Sequence, residues 1–485
     1  MLFNSIGYLL FLPVTVLLYY VLPFRWRWVL LLAASYFFYL LWRVEFVLVL
    51  MSATIVTYLA ALQMGKLPQK KQRLKYLVLS IVINLAMLVF FKYFGFLTDI
   101  INQIARISGK NNIIPYYGIL LPIGISFYTF QTMGYTIDVY RGILKPEKNL
   151  GIYALFVSFF PLVLAGPIER GRRLIPQFHI RHDFDPQLFT SGLRLILWGM
   201  FKKIVIADRL SIFVQPVYND IGYFHGPEIG LAIILLFMQI YADFSGYTDI
   251  AIGSARLMGF KLSPNFNRPF SAQSISEFWS RWHISLTSWL RDYVYFSLPF
   301  KYHGKIVNWR VNLNLLLTFM LVGFWHGPNW NFIIFGFLHG AYMVLARIFK
   351  PFMLYLNRIS GLIKAPRLLK GLNITATFLL VCSTAFFLGP HTLNDSFLMI
   401  RNLADFSQTD KGILLPLLKN NGDLLLGILL IIFMLLFEYL IAVKSFALKF
   451  MSKSIIIRYS AYLFMLFFIL VFGVFSSQKF FYFQF

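Results

Sequence analysis

The sequence predicts an all-α, polytopic integral membrane protein. Hydrophobic residues make up 59% of its 485 residues and charged residues 13%, with a mean hydropathy of +0.70, outside the range of a soluble globular domain. Apolar segments long enough to cross a bilayer recur along the chain. The alternating apolar and polar pattern of a membrane β-barrel is absent, which leaves helices as the spanning elements.

Taken in order, spans are expected at 6–22, 28–42, 46–64, 77–97, 119–140, 188–207, 231–258, 313–348, 374–388, 424–443 and 462–475, about ten or eleven helices by the length a bilayer requires. Met1 to Tyr8 lack a basic n-region, and Arg25 and Arg27 follow the first apolar run. That run therefore reads as a retained helix. Basic residues crowd short loops, Lys66, Lys70, Lys71, Arg73 and Lys75 in one and Arg170, Arg172, Arg173 and Arg181 in another. Such loops sit on the cytoplasmic side, which puts the N-terminus outside. The run 152–166 is short, is broken by Pro161 and flanked by Pro167, and has basic residues on both sides. It is expected to dip into the membrane and return, an arrangement tolerated where protein buries the irregular backbone. From 260 to 300 the composition turns to Trp279, Trp282, Trp289, Arg268, Arg281 and Arg291, an amphipathic stretch suited to an interface. The linkers, 261–269, 301–311 and 350–370, are short and no internal repeat is visible. The expectation is one membrane domain, 1–485, with N-terminal helices to 150, a core from 151 to 350 and C-terminal helices from 351.

The net charge is +25, but its concentration in short loops between spans points to anionic lipid and not to nucleic acid. Cys382 is the only cysteine, so an internal disulfide or a CxxC redox centre is excluded. Walker A, GxGxxG, HExxH and GxSxG patterns are absent, which removes support for ATP-driven, dinucleotide, zincin and α/β-hydrolase chemistry. His179-x-x-His182 and His391-x-x-x-Asp395 are short patterns read as a solvated loop and a coincidence. No metal site is expected.

The residue most suggestive of chemistry is His326, in Gly323-Phe-Trp-His-Gly-Pro-Asn329 within a long apolar run. An ionisable group at bilayer depth is costly and usually faces a cavity or pathway, and imidazole exchanges a proton near neutral pH. Gly327 and Pro328 loosen the helix beside it. His283, among tryptophans on an expected amphipathic helix, is the second candidate; its bland reading is an interfacial histidine tied to a backbone carbonyl. His339, thirteen residues past His326, falls on nearly the opposite face of a continuous helix. Asp243 and Asp249 lie in another apolar segment, where they orient a histidine or pair with an arginine such as Arg256; a structural ion pair is at least as good a reading. Asn329, Trp325 or a backbone N–H near Gly327 are candidate oxyanion donors. Arg281 and Arg291 are candidate anchors for a phosphorylated donor.

These segments resemble the membrane-bound O-acyltransferase (MBOAT) family, and within it the bacterial branch of alginate O-acetylation proteins, with the D-alanyl transfer proteins as cousins. The resemblance rests on Leu121-Pro-Ile-Gly-Ile-Ser-Phe-Tyr-Thr-Phe-Gln131, Phe159-Phe-Pro-Leu-Val-Leu-Ala-Gly-Pro-Ile-Glu-Arg170, Tyr241 to Asp249, Asn267-Arg-Pro-Phe270, Trp279 to Tyr293, Gly323 to Asn329 and the ending Tyr482-Phe-Gln-Phe485. It implies His326 as catalytic base and His283 as the family's second histidine, near the cytoplasmic mouth. It also implies a ring of helices around a thinned centre. The implied reaction moves an acyl group, acetyl first, from a cytoplasmic thioester (acetyl-CoA, another acyl-CoA or an acyl carrier) to hydroxyls of an extracytoplasmic polysaccharide. The transfer is direct or runs through a periplasmic or extracellular transferase partner, and the setting is the bacterial inner membrane and its lipids. No bound cofactor is implied. D-alanyl or other acyl transfer to a cell-envelope polymer is the alternative within the family. Two rivals of other classes stand beside it: a proton-coupled transporter using the buried histidine and aspartates, and a non-enzymatic assembly partner of an envelope polysaccharide machine.

Overall fold

The computed structural model describes residues 1–115, 117–164, 166–298, 309–406, 421–442 and 454–475. The Tyr482–Phe485 ending and residues 301–308 of the expected linker lie outside them. Every regular element among the described residues is a helix. Seven are long and apolar enough to cross a membrane: Val44–Lys66, Lys70–Ile107, Pro227–Leu257, Trp330–Ile348, Pro366–Phe387, Gly422–Ile441 and Ile455–Phe472. The other expected spans are helical but shorter or more polar. Ile6–Val21 has 16 residues, a rise of roughly 24 Å against a hydrocarbon core of about 30 Å. Ile125–Arg141 buries Gln131 and Asp138, and the 188–207 run ends in a π-helical stretch, Phe201–Ala207, that carries Lys202 and Lys203.

The chain forms two compact units, Met1–Ile196 with Tyr247–Pro264, and Leu197–Gly246 with Asn265–Phe485. In the first, small polar side chains tie apolar helices together. Tyr153 donates its hydroxyl to Thr57 at 2.7 Å, and Tyr8 and Ser254 share a 2.7 Å hydrogen bond. The 152–166 run is too short to cross: it is Leu150–Ser158 followed by one helical turn, Phe160–Val163. Its described residues from Ile152 to Leu164 are buried. Where the helix breaks at Phe159, side chains take over the backbone's hydrogen bonds. Ser35 accepts from the Phe160 N–H at 3.0 Å, and Gln131 donates to the Phe156 carbonyl at 2.6 Å. Irregular backbone inside a membrane protein requires this kind of satisfaction. Gly124, at φ 75°, packs so close to the turn that a Cβ would strike the Val163 carbonyl oxygen.

The second unit is organised by a hairpin. The apolar run 313–348 is not one helix but two, Trp309–His326 and Trp330–Ile348. Pro328 supplies no N–H donor, and the Asn329 side chain caps the new helix by accepting from the Asn331 N–H at 3.0 Å. The two helices run back to back at glycines: a Cβ at Gly323 would overlap the Phe332 carbonyl, and one at Gly336 the Phe319 carbonyl. Small residues that let backbones approach are how helices pack where lipid supplies no hydrophobic drive. Two short helices, Ile275–Arg281 and Ile284–Tyr293, fill the expected amphipathic stretch, and the first packs on Trp330–Ile348.

Candidate active site

His326 is the last residue of its helix, Trp309–His326, and is buried. The helix end places its ring perpendicular to Phe335 at a centroid distance of 5.7 Å and 5.0 Å from Trp325. His283 is not within an amphipathic helix as the sequence suggests. It occupies the junction between the two short helices, in a left-handed conformation (φ 43°, ψ 52°), with no exposed surface. The junction arises because the Ile275–Arg281 helix stops at Trp282, whose N–H returns to the Phe278 carbonyl. The His283 ring meets Phe244 edge-on at 4.7 Å and Trp325 at 5.9 Å. Trp325 therefore touches both imidazoles.

His283 meets a side-chain carbonyl: Nδ1 is 3.1 Å from Asn265 Oδ1. His339 is a different kind of histidine. The break at Gly327 and Pro328 puts it on the second hairpin helix, which cancels the continuous-helix reading of its face. Its Nδ1 accepts from the Trp279 indole at 3.2 Å. An indole N–H can only donate, so Nδ1 holds the lone pair and Nε2–H donates to Thr384 at 3.2 Å. With both nitrogens engaged, His339 is a packing residue.

Asp243 pairs with Lys203 at 2.8 Å, not with Arg256. Lys203 also meets Asp208 at 2.8 Å, and the neighbouring Lys202 lies 3.7 Å from Glu438, which accepts the Tyr241 hydroxyl at 2.7 Å. Sequence reasoning passed over Lys202, Lys203, Asp208 and Asn265; the signal was a Lys-Lys pair inside an apolar run. Asp249 is half-buried and belongs to the first unit. Asn329 donates to the His391 carbonyl at 2.6 Å besides capping its helix, so its amide is committed to structure. Arg281 is bound by Glu277 at 2.6 Å through Nη2 and at 3.0 Å through Nε. Arg291 is exposed, beside Asp292 at 3.0 Å. Asp395 accepts from the Thr392 N–H in a capping box, and His179 pairs with Glu147 at 2.7 Å; of the two short patterns, His391 lines a cavity.

Two cavities of this unit are lined by residues of the hairpin. One of about 260 Å³ is lined by Trp279, Thr287, Arg291, Tyr295, Phe319 and Val322. The other, about 500 Å³, is lined by Tyr218, Gln239, Asn329, Phe332, Pro390 and His391. Along the Trp309–His326 helix the order is Phe319 and Val322, then Trp325 and His326, then Asn329 just past its end. Along Trp330–Ile348 it is Phe332, Phe335 against His326, then Met343, which lines the smaller cavity. Along the hairpin His326 thus falls between the residues that line the two cavities, and Trp325 joins it to His283.

Comparison with known proteins gives the same chemistry a family. Residues 148–357 match the model of the MBOAT, membrane-bound O-acyltransferase family. The chain is 40% identical to "Probable alginate O-acetylase AlgI" of Azotobacter vinelandii, across 79% of this chain and 73% of that protein. The chain belongs to the membrane-bound O-acyltransferase family. It is also 33% identical to the peptidoglycan O-acetyltransferase of Helicobacter pylori, across 70% of this chain and 69% of the relative. With the teichoic acid D-alanyltransferase of Bacillus subtilis it shares 31% identity across 55% of this chain and 68% of the relative. This MBOAT protein is an O-acyltransferase and a multi-pass protein of the bacterial inner membrane. Family membership sets aside the transporter and the non-enzymatic rival.

Proposed function

We propose that this acyltransferase carries an acetyl group from a cytoplasmic thioester, acetyl-CoA first, to hydroxyls of an extracytoplasmic polysaccharide, with His326 as general base. One observation carries the reading: two buried imidazoles are joined by Trp325, and along the hairpin His326 falls between the residues that line two cavities. The acceptor hydroxyl attacks the thioester carbonyl as His326 removes its proton; the carbon–oxygen bond forms, the carbon–sulfur bond breaks, and the proton passes to the leaving thiolate. A hydroxyl is a weak nucleophile at neutral pH, and base assistance contributes roughly 10²–10⁴-fold.

Charge supports the direction. The helix ends and loops at the smaller cavity's end carry Arg268, Arg281, Arg291, Arg347 and Lys350 against Glu277 and Asp292, while those at the other end carry Asp220, Asp395 and Asp405 against Arg401. On the positive-inside rule the smaller cavity opens to the cytoplasm, where Arg291 meets the donor's phosphates. Acetyl and glycan follow the names of the O-acetylating relatives; the acetyl group reaches the glycan directly or through a transferase partner on the outer face.

The test uses purified protein in nanodiscs with radiolabelled acetyl-CoA. Wild type is expected to release CoA and pass label to glycan or partner, and His326→Ala, shown folded by its thermal transition, to do neither. Equal release by both would overturn the reading.

A further inference from the structure

We propose that Asn265 is a positioning residue that fixes the tautomer of His283, holding the proton on Nδ1 so that Nε2 is the basic nitrogen. The functional half of the proposal rests on the acyl-transfer reading above; the tautomer half does not.

The orientation of a side-chain amide is usually an assignment, because its oxygen and nitrogen look alike. Here the neighbours decide it. The Ser285 backbone N–H, which can only donate, meets the amide atom at 3.2 Å, and the Ser285 hydroxyl meets the same atom at 2.9 Å. That atom is therefore the carbonyl oxygen. A carbonyl oxygen cannot donate, so the His283 Nδ1 that faces it at 3.1 Å carries a hydrogen, in the neutral ring and in the imidazolium alike. In the neutral ring the lone pair is then on Nε2.

The backbone makes the same arrangement rigid. Asn265 accepts the Ile284 N–H at 2.8 Å through its own carbonyl, and the Asn267 N–H donates to the Arg281 carbonyl at 2.9 Å. These two bonds bracket His283, one of two described non-glycine residues with positive φ. Such a conformation is strained for a residue with a Cβ and persists where surrounding structure over-determines it. Asn265 is 1% exposed, so water does not compete for its oxygen. His339 in the same unit has the opposite tautomer, set by the Trp279 indole. The unit thus distinguishes a packing histidine from His283 by which ring nitrogen is given a donor and which an acceptor.

The experiment is nitrogen-15 NMR of histidine-labelled full-length protein in nanodiscs, with signals assigned by difference from His283→Asn and His339→Asn. Wild type should give an Nδ1–H signature for His283 and an Nε2–H signature for His339. An Nε2–H signature for His283 would overturn the proposal with no reference to activity. Asn265→Ala should mix the His283 tautomers and lower kcat by about 10–100-fold, the usual cost of losing an outer partner of a working imidazole. The donor KM should stay within about twofold. Asn265→Asp keeps the oxygen acceptor, so it should recover most of that turnover. Its added charge favours the imidazolium, and the acidic limb of the pH–rate profile should move to higher pH. Wild-type turnover in Asn265→Ala, or an unmoved pH limb in a folded Asn265→Asp, would sink it. If wild type itself transfers no acyl group, acyl transfer fails as a reading while the tautomer result still stands or falls alone.

Discussion

Lys203 meets Asp243 at 2.8 Å, and the next residue along that helix, Phe244, sets its ring edge-on against His283. A buried cation is thereby linked through one helical step to the wall of the histidine site. Lys203 also holds Asp208, so removing its charge leaves two buried carboxylates facing each other.

Breaking a buried pair by deleting one partner costs about 3–5 kcal/mol, because the orphaned charge stays out of water. Lys203→Met is therefore expected to lower Tm sharply, followed by tryptophan fluorescence in nanodiscs. The triple change Lys203→Met, Asp208→Asn, Asp243→Asn should recover much of the loss, since no uncompensated charge remains. A Lys203→Met protein as stable as wild type would show that the cluster is not structural.

Arg281 and Arg291 look alike in the sequence and differ in their surroundings. Arg281 is held by Glu277, whose carboxyl lies below the usual carboxylate range because the Gln273 backbone N–H binds it and Arg281 pairs with it. A depressed carboxyl contributes stability above the ordinary glutamate value near 4.3 and loses it as pH falls through the lower folded value. Arg281→Ala should mainly destabilise, by about 0.3–0.5 kcal/mol as a half-buried i,i+4 pair. Arg291→Ala should instead raise the donor KM about fivefold at low salt with kcat unchanged, and the difference should shrink as ionic strength rises. Equal KM values for the two variants would remove Arg291 from donor binding.

The glycines of the hairpin make a sharper stability test. Gly336→Ala pushes a methyl into the Phe319 carbonyl, and overpacking a well-fitted contact typically costs about 1–3 kcal/mol. Thermal unfolding should register that loss, and the extra methyl should also disturb the placement of His326 at the hairpin's turn. Unchanged Tm and turnover would mean that the helices separate at no cost.

What the sequence made legible was what periodicity and burial cost encode. Long apolar runs named the helices, Pro161 marked the broken segment, and a histidine at bilayer depth singled out His326. The connections across the site were not legible. Asn265 sits 18 positions before His283 and Lys203 sits 40 before Asp243, so no local pattern joins them. Asn329 looked like a reactive amide, although an asparagine just before a helix is first of all a cap. The 313–348 run read as one span because Gly327 and Pro328 interrupt it without adding charge, and only the close approach at Gly323 and Gly336 reveals two antiparallel helices.

The larger cavity carries the last expectation. Tyr218 and Gln239 line it, and the Tyr218 hydroxyl and Gln239 Oε1 are buried with no hydrogen-bond partner among the described residues. Buried polar groups are ordinarily satisfied, and an acceptor bringing several hydroxyls would satisfy these. Gln239→Leu and Tyr218→Phe remove the unmet groups without opening a large void, so each should fold at least as well as wild type. Each should lower transfer to the acceptor about tenfold, the scale of one hydrogen bond of roughly 1.4 kcal/mol, while the donor KM stays unchanged. Measuring CoA release and label transfer separately checks this. If both variants lose donor affinity and keep acceptor transfer, the larger cavity serves the thioester and the direction proposed above is reversed.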